Sequence, residues 1–585
     1  MTAELKAPHV LREDAFLADG ERGALIGPRG DIAWMCMPGW DSDAVFGTLI
    51  GGAGFYVVTP TGRFVWGGYY EEGSLIWRSR WVTETGIVEC REALAFPGDP
   101  HHAVLLRQIR VVEGRAQMHV HLQPAAQFGR SPLRRVQHGA TGTWHGEAGA
   151  LQLRWRIGER AHVTGDTPGD RALTAHLEMS EGDSHDLVLE LSDRRLPDVP
   201  VDAAGAWADT QTAWQKAMPT FGPLAAQRDA AHGYAVMRGM TTAGGGMVAA
   251  CTMSLPERAD EGANYDYRYV WIRDQCFAGL AVAADGPHPL LESAADFVSA
   301  RLLEDGASLM PAYTTAGETV PGERRLDLAG YPGGSDILGN HVRAQFQLDA
   351  FGEALLMLAA VDRHGMLADD HARAAAVAVA AIEQNRHRDD AGIWELKDRQ
   401  WAHSRLMCAA GLRAVATREM AGFDGSSLGA LADTIIAEVS RTCLHPSGRW
   451  QRAADDERLD AALLLPALRG ALPADDPRSV ATYRAVRDGL GRDFYAYRFP
   501  PEAGLSGTDS AFLLCGFVMA MASAQQGDPV AAVRYFERNR SACGPPGLFS
   551  EEYDIRQRQM RGNLPQAFVH AVMFEASSRL AAAGQ

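Results

Sequence analysis

The stretch GIWELKDRQWAHSR, residues 392 to 405, sets Trp394 beside Glu395 where neither a helix cap nor a core pattern calls for them. Four other segments share that character: NYDYRYVWIRDQCF (264 to 277), LDLAGYPGGSDILGNHVRAQFQLDAFGE (326 to 353), GLFSEEYD (547 to 554) and GNLPQAF (562 to 568). Together they mix carboxylates, arginines and flat rings. That is the composition of a carbohydrate pocket, in which rings stack on sugar C–H faces while fixed carboxylate and guanidinium groups bind hydroxyls. Taken singly, each has an ordinary explanation. A Glu beside a Trp is often a solvated acid, and Ser550, Glu551 and Glu552 also read as a helix start with the serine as N-cap and the acids favoured by the dipole.

Other chemistries find less support. LIGGAGFYV has glycines but lies among strands with no helix following, so it reads as a turn and not a nucleotide loop. His101 and His102 sit in a Pro-Gly turn, and His119 and His121 alternate on the polar face of a strand with no cysteine or carboxylate set nearby, so no metal site is expected. A serine nucleophile would need a GxSxG elbow, which the sequence lacks. No cofactor is expected.

These segments fall at joints between periodic runs, and the runs change character along the chain. In the first third, RAQMHVHLQP and LQLRWRIG alternate apolar and polar residues as half-buried strands do, and turn signals such as TPTG, FPGDP and TPGD recur. From about residue 205 the apolar spacing becomes three and four, as in DHARAAAVAVAAIEQNR and LGALADTIIAEVSRTCL. Strands first and helices afterwards imply separate all-β and all-α domains. The boundaries expected are 1–204 for a β-sandwich, 205–228 for a helical linker and 229–585 for a helical domain. Paired helices in such number suit a closed toroid with its site in the loops at one end.

Composition narrows the partners. The chain has 585 residues, too many for one ordinary core, and 46% of them are apolar, enough for large ones. A net charge of -17 repels phosphate backbones and anionic lipid, so neither nucleic acid nor membrane is expected as a partner. The eight cysteines form no CxxC pair and read as small buried hydrophobes. The start, MTAELKAPHVLRED, lacks a basic stretch followed by an apolar one, and no apolar run reaches the ~20 residues of a bilayer crossing. A cytoplasmic location is the expectation. Oligomeric state stays open, a homodimer among the options.

As a set, the segments resemble glycoside hydrolase family 15, the glucoamylase family, which includes glucodextranases, bacterial trehalases and isomaltose-releasing enzymes. VLREDAFLADGERGALIGPRGDIAWMCMPGWDSDAVFG is similar to the opening of the family's bacterial β-domain, and YDYRYVWIRD, GYPGGSDILGNHVRAQFQLDAFGE, IWE, HSRLMC, GLFSEEYD and GNLPQAF follow in family order. The resemblance implies an α+β multidomain chain, an N-terminal antiparallel β-sandwich followed by an (α/α)6 barrel, hydrolysing α-glucosidic bonds with inversion. It implies Glu395 as general acid and Glu551 as general base, with Glu552 supporting. Arg273 and Asp274 would bind hydroxyls of the terminal glucose, and Trp394, Trp271 and Tyr267 would line the pocket. Inversion needs one protonated and one ionised carboxyl about 6.5 to 9.5 Å apart with a water between them. Burial beside Trp394 is expected to keep Glu395 protonated, and greater exposure to keep Glu551 ionised.

The chain also departs from the family. Lys397 and Asp398 stand where relatives commonly have Arg and Gly, and DILGN replaces a common PVRIGN. In the β-domain, FVWGGYYEEGSLIWRSRW gathers Trp66, Tyr69, Tyr70, Trp77 and Trp81. Either Trp66 and Tyr70 cap the barrel mouth and favour short substrates, or the hairpin packs one aromatic face into the sandwich. The substrates expected are trehalose and α-1,6-linked isomaltose-type sugars, with maltooligosaccharides behind. Two alternatives remain: a disaccharide phosphorylase, which would form glucose 1-phosphate, and a non-catalytic sugar-binding protein, which would not turn substrate over.

Overall fold

The computed structural model describes residues 8–139, 142–158, 161–257, 264–500 and 510–583. The first seven residues, half of the stretch read for a leader, lie outside them.

Among the described residues, sixteen antiparallel strands between Ala15 and Ser192 form the first domain. Its axis is one strand, His102–Gln123, that serves two sheets. The half before Gly114 pairs with Gly86–Leu94 and Ser184–Ser192, and the half after it pairs with Phe55–Pro60 and Ala172–Ser180. Gly114 takes a φ of +69° beside a register shift in the ladder, and a bulge of this kind lets a strand turn from one sheet into the other. Inward residues of both halves, among them Leu105, Ile109, Met118 and Val120, meet Tyr56, Trp77, Trp81 and Trp155 in a single apolar core.

After Ser192 the chain enters helix α1 (Ala203–Ala217), whose N-cap Asp202 accepts the Gly205 N–H at 2.7 Å. Trp214 of α1 stacks on Phe96 of the sandwich at 4.1 Å, so this connecting helix is fastened to the first domain. Among the described residues, twelve helices follow, beginning with α2 (Gln227–Met240). Those buried nearly all round are α3 (Ile272–Ala283), α5 (Asp349–Arg363), α7 (Ala402–Arg418), α11 (Leu513–Gln525) and α13 (Ala567–Ala583). A helix apolar on every side belongs inside. Helices α4 (Pro289–Asp305), α6 (Asp369–Asn385), α8 (Gly425–Thr442), α10 (Pro477–Leu490) and α12 (Pro529–Arg540) bury fewer faces and alternate with the inner set. The sixth inner place is taken by a 3-10 turn, Ala461–Leu464, running into the short α9 (Leu465–Leu468). Contacts run α3 to α5 to α7 to α9 to α11 to α13 and back to α3, closing a ring. This ring is the closed toroid that the helical periodicity suited, and it fits the (α/α)6 barrel that the resemblance implied.

His341–Ala344 is one 3-10 turn and α5 starts at Asp349, which leaves Gln347 on a connecting loop.

The two domains share one apolar cluster, in which Phe16, Trp34, Trp40, Leu75 and Phe96 of the sandwich meet Tyr234, Met237 and Met240 of α2. Arg268 is fully buried at this seam; it forms a two-pronged pair with Asp266 and donates to the Ser42 carbonyl at 2.7 Å. Trp34 donates its indole N–H to Cys251 O at 2.8 Å.

Candidate active site

The segment 264–271 is extended and alternates. Its backbone bonds to 249–254 through Ala249, Ala250 and Ser254 N–H groups, so successive side chains point to opposite sides. Asp266 and Arg268 face the sandwich. Tyr265, Tyr267 and Trp271 face the barrel mouth, with Tyr265 stacked on Tyr267 at 6.2 Å and Tyr267 edge-on to Trp271 at 5.6 Å. The chain then enters α3, which places Arg273 and Asp274 in its first turn.

Glu395 arrives from a turn between α6 and α7. It takes a φ of +55°, a strained backbone for a residue with a side chain, held by Glu395 N–H to Gly392 O at 3.1 Å and Leu396 N–H to Ala391 O at 2.9 Å. Gly392 cannot be replaced cheaply: at φ +68° a Cβ there would lie 2.7 Å from the Trp401 ring. Two donors converge on Glu395 Oε1, the Trp271 indole N–H at 2.8 Å and Arg273 at 3.4 Å. Trp394 turns the other way, donating to Asp460 Oδ1 at 2.9 Å and packing edge-on against Phe512.

Glu551 lies between Phe549, whose carbonyl is bonded by Gln566 N–H, and the strand Glu552–Asp554. The Tyr267 hydroxyl reaches Glu551 Oε2 at 3.2 Å and Glu257 Oε1 at 3.0 Å. Glu395 and Glu551 are therefore joined by a bridge of two rings, Trp271 and Tyr267, and belong to one site. Glu552 points away from it toward Arg498, which donates to Glu552 Oε1 at 2.6 Å and stands 4.0 Å from Glu257. Gly562, at φ +89°, lies against both acids: a Cβ there would fall 3.5 Å from Glu551 Cβ and 3.6 Å from Glu257 Cγ.

The burial of the two candidate acids is the reverse of the expectation. The side chain of Glu395 is 23% exposed, whereas Glu551 is 6% exposed. Burial, and then the neighbouring Glu257 carboxyl, lift the Glu551 carboxyl well above the usual range, against the pull of Arg498. The sequence misled because Trp394 is adjacent in the chain but bonded elsewhere, while Glu257 and Tyr267 reach Glu551 only through the fold.

Behind the site, acids stand at the N-terminal ends of the inner helices, where the helix dipole favours negative charge. Burial raises Asp274 and Asp349 to about 6 each, against the opposing charge of Arg273. Deeper in α5, burial raises Glu353 to about 8. His403, the first residue of the HSRLMC motif, is buried 3.7 Å from Asp349 and pushed down to about 3, first by burial and then by Arg273. On the solvent side of Tyr265 a cleft of about 480 Å³ opens, bordered by His341, Glu323, Arg325 and Asp336. Among the described residues no cluster of three or more His, Cys, Asp or Glu side chains is arranged to hold a metal ion.

Of the residues named from sequence, Glu395, Glu551, Arg273, Asp274, Trp271 and Tyr267 come together here, and Trp394 and Glu552 stand behind them. Trp66 and Tyr70 do not join them. They lie in the hairpin Phe64–Tyr70 with Trp77–Thr83, where Trp66 and Tyr70 pack on Trp77 at 6.4 and 4.8 Å. The Tyr70 hydroxyl is bound to the backbone of Phe16, and its ring meets His232 of α2. Capping of the mouth by these two residues is thus corrected to packing of the sandwich and its seam. Missed from sequence were Glu257, Arg498, Asp460, Tyr265 and Gln347, which accepts from Arg273 at 3.3 Å; of these only Tyr265 carried a signal, through its alternation with Tyr267.

Comparison with known proteins fits this geometry. Residues 231–578 match Glycosyl hydrolases family 15, and residues 5–197 match the Trehalase-like, N-terminal family. The chain belongs to glycosyl hydrolases family 15. It is a glycoside hydrolase. Similar proteins include a trehalase of Mycolicibacterium smegmatis, 30% identical over 96% of this chain and 90% of that protein. A trehalase of Mycobacterium tuberculosis is also 30% identical, over 96% and 88%. Among solved structures, a bacterial glucoamylase complexed with acarbose superposes with a TM-score of 0.69 at 13% identity, covering 99% of this chain and 96% of that one, which shows the shared two-domain fold. Among the described residues, no helix is long and apolar enough to cross a membrane.

Proposed function

We propose that this family 15 enzyme hydrolyses α,α-trehalose with inversion, with Glu395 as general acid and Glu551 as general base. The observation that carries the reading is the ring bridge: Trp271 holds Glu395, Tyr267 holds Glu551, and the two rings touch. Both donors to Glu395 converge on Oε1, so Oε2 is the oxygen left to carry a proton to the departing glucose. As the glycosidic C–O bond breaks and that proton transfers, a water attacks the anomeric carbon from the opposite face and its proton passes to Glu551. Arg273 and Asp274, at the floor, would bind hydroxyls of the bound glucose. Glu552 acts indirectly, by fixing Arg498 beside Glu551.

The choice of trehalose over isomaltose rests on the relatives, which are trehalases along nearly the whole chain. A panel of trehalose, isomaltose, kojibiose, nigerose and maltose tests it. Trehalose should give the highest kcat/KM; a clear preference for isomaltose would reject the substrate, and no turnover of any would reject the reaction.

A further inference from the structure

Two carboxyls and one hydroxyl meet where the reaction needs a base, and their protons can be counted. Tyr267 has a single phenolic proton, yet its oxygen lies 3.0 Å from Glu257 Oε1 and 3.2 Å from Glu551 Oε2. Were both glutamates ionised, one of these contacts would set lone pairs against lone pairs at hydrogen-bonding distance. Tyr267 does not ionise to relieve this, because burial and the three neighbouring glutamates raise its hydroxyl well above the usual range. Glu257 and Glu551 are both buried, at 2% and 6% exposure, and two like charges so placed cannot both ionise near neutral pH.

We propose that Glu257 is a positioning residue that carries this shared proton and donates it as a hydrogen bond to Glu551, so the base of the site is a singly protonated glutamate pair. This rests on the reading of Glu551 as base. A lone carboxylate as buried as Glu551 would hold a proton too firmly to act as one. A protonated Glu257 supplies a donor that favours the ionised form of Glu551, while its carbonyl oxygen accepts from Tyr267. Arg498, 4.0 Å from Glu257 and bonded to Glu552, adds the positive charge that keeps the pair from taking up a second proton. Among the described residues, the other groups that act on the pair include Glu552, Tyr265, Cys515 and, across the ring bridge, Glu395. No new bond is made: in turnover the water's proton goes to Glu551, the pair is briefly doubly protonated, and one proton leaves to solvent.

Glutamine has the shape of a protonated glutamate, an N–H donor and a carbonyl acceptor, and it cannot ionise. Under the proposal the acid limb of the kcat/KM profile in Glu257→Gln stays within about half a pH unit of wild type, whatever happens to the plateau. In Glu257→Ala, which deprives Glu551 of its donor, the limb moves to higher pH by about one unit. A limb that moves down in Glu257→Gln would mean that Glu257 is ionised in the resting enzyme, and one that stays put in Glu257→Ala would mean that it does not act on Glu551; either overturns the proposal. The glutamine variant can still overturn the proposal even if the alanine variant fails to fold. Glu551→Gln separates this from the parent reading: if that variant remains active, Glu551 is not the base, whereas if it is dead while the Glu257 profiles contradict the proposal, only the shared proton is wrong.

Discussion

The indole N–H of Trp271 donates to Oε1 of Glu395 across 2.8 Å, although the two residues are 124 positions apart in the chain. Trp394, its immediate neighbour, bonds Asp460 instead. The orientation of Glu395 therefore depends on the strand that also carries Tyr267, and a donor to a carboxylate is worth about 1.5 to 3 kcal/mol. Trp271→Phe keeps the ring and removes that donor. It should lower kcat by about tenfold or more with a smaller change in KM. If steady-state kinetics show a KM effect alone, the indole contributes to substrate binding and not to the acid.

Glu395→Gln should lose about 10²-fold or more of kcat, the scale of general acid catalysis, with trehalose affinity retained. The separation of kcat from binding, by turnover assay and calorimetry, is the decisive comparison. A variant as active as wild type would remove Glu395 from the reaction.

How much of this was legible in the sequence follows from which contacts are local. Alternation in RAQMHVHLQP and the three-and-four spacing of the helices are set by neighbours along the chain, so sandwich and barrel could both be read. The glutamates could be named because their motifs stand in family order. Their environments could not. Whether Glu551 is buried depends on Glu257, nearly three hundred residues earlier, and on Gly562 closing over both. Trp66 and Tyr70 misled for the same reason: an aromatic-rich hairpin looks alike whether its rings face a pocket or, as here, Trp77 and the backbone of Phe16.

Glu353 offers a test of the barrel floor through stability. Burial raises its carboxyl from the usual 4.5 to about 8, and among the described residues neither of its oxygens has a hydrogen-bond partner. The folded chain thus holds this proton more tightly than the unfolded one. That contribution to stability is complete below about pH 4.5 and is lost as pH rises toward 8. Glu353→Gln stays neutral at every pH, so its melting temperature should exceed that of wild type at about pH 8 and approach it at about pH 5. The opposite order at pH 8 would mean that Glu353 is ionised and stabilised by Arg469, whose charge opposes the effect of burial on it.

Inversion leaves a signature specific to a substrate built from two α-linked glucoses. Attack by water from the face opposite the bond converts one ring to the β-anomer, while the departing ring keeps its C–O bond and leaves as the α-anomer. Early in turnover, before mutarotation mixes them, proton NMR should therefore show equal amounts of α- and β-glucose from trehalose. A retaining enzyme would release only α-glucose at first, since its attacked ring is inverted twice. The ratio in the first spectra thus reports whether water or a glutamate attacks the anomeric carbon. If α-glucose predominates, one carboxylate is a nucleophile and the ring-bridged pair has to be assigned afresh.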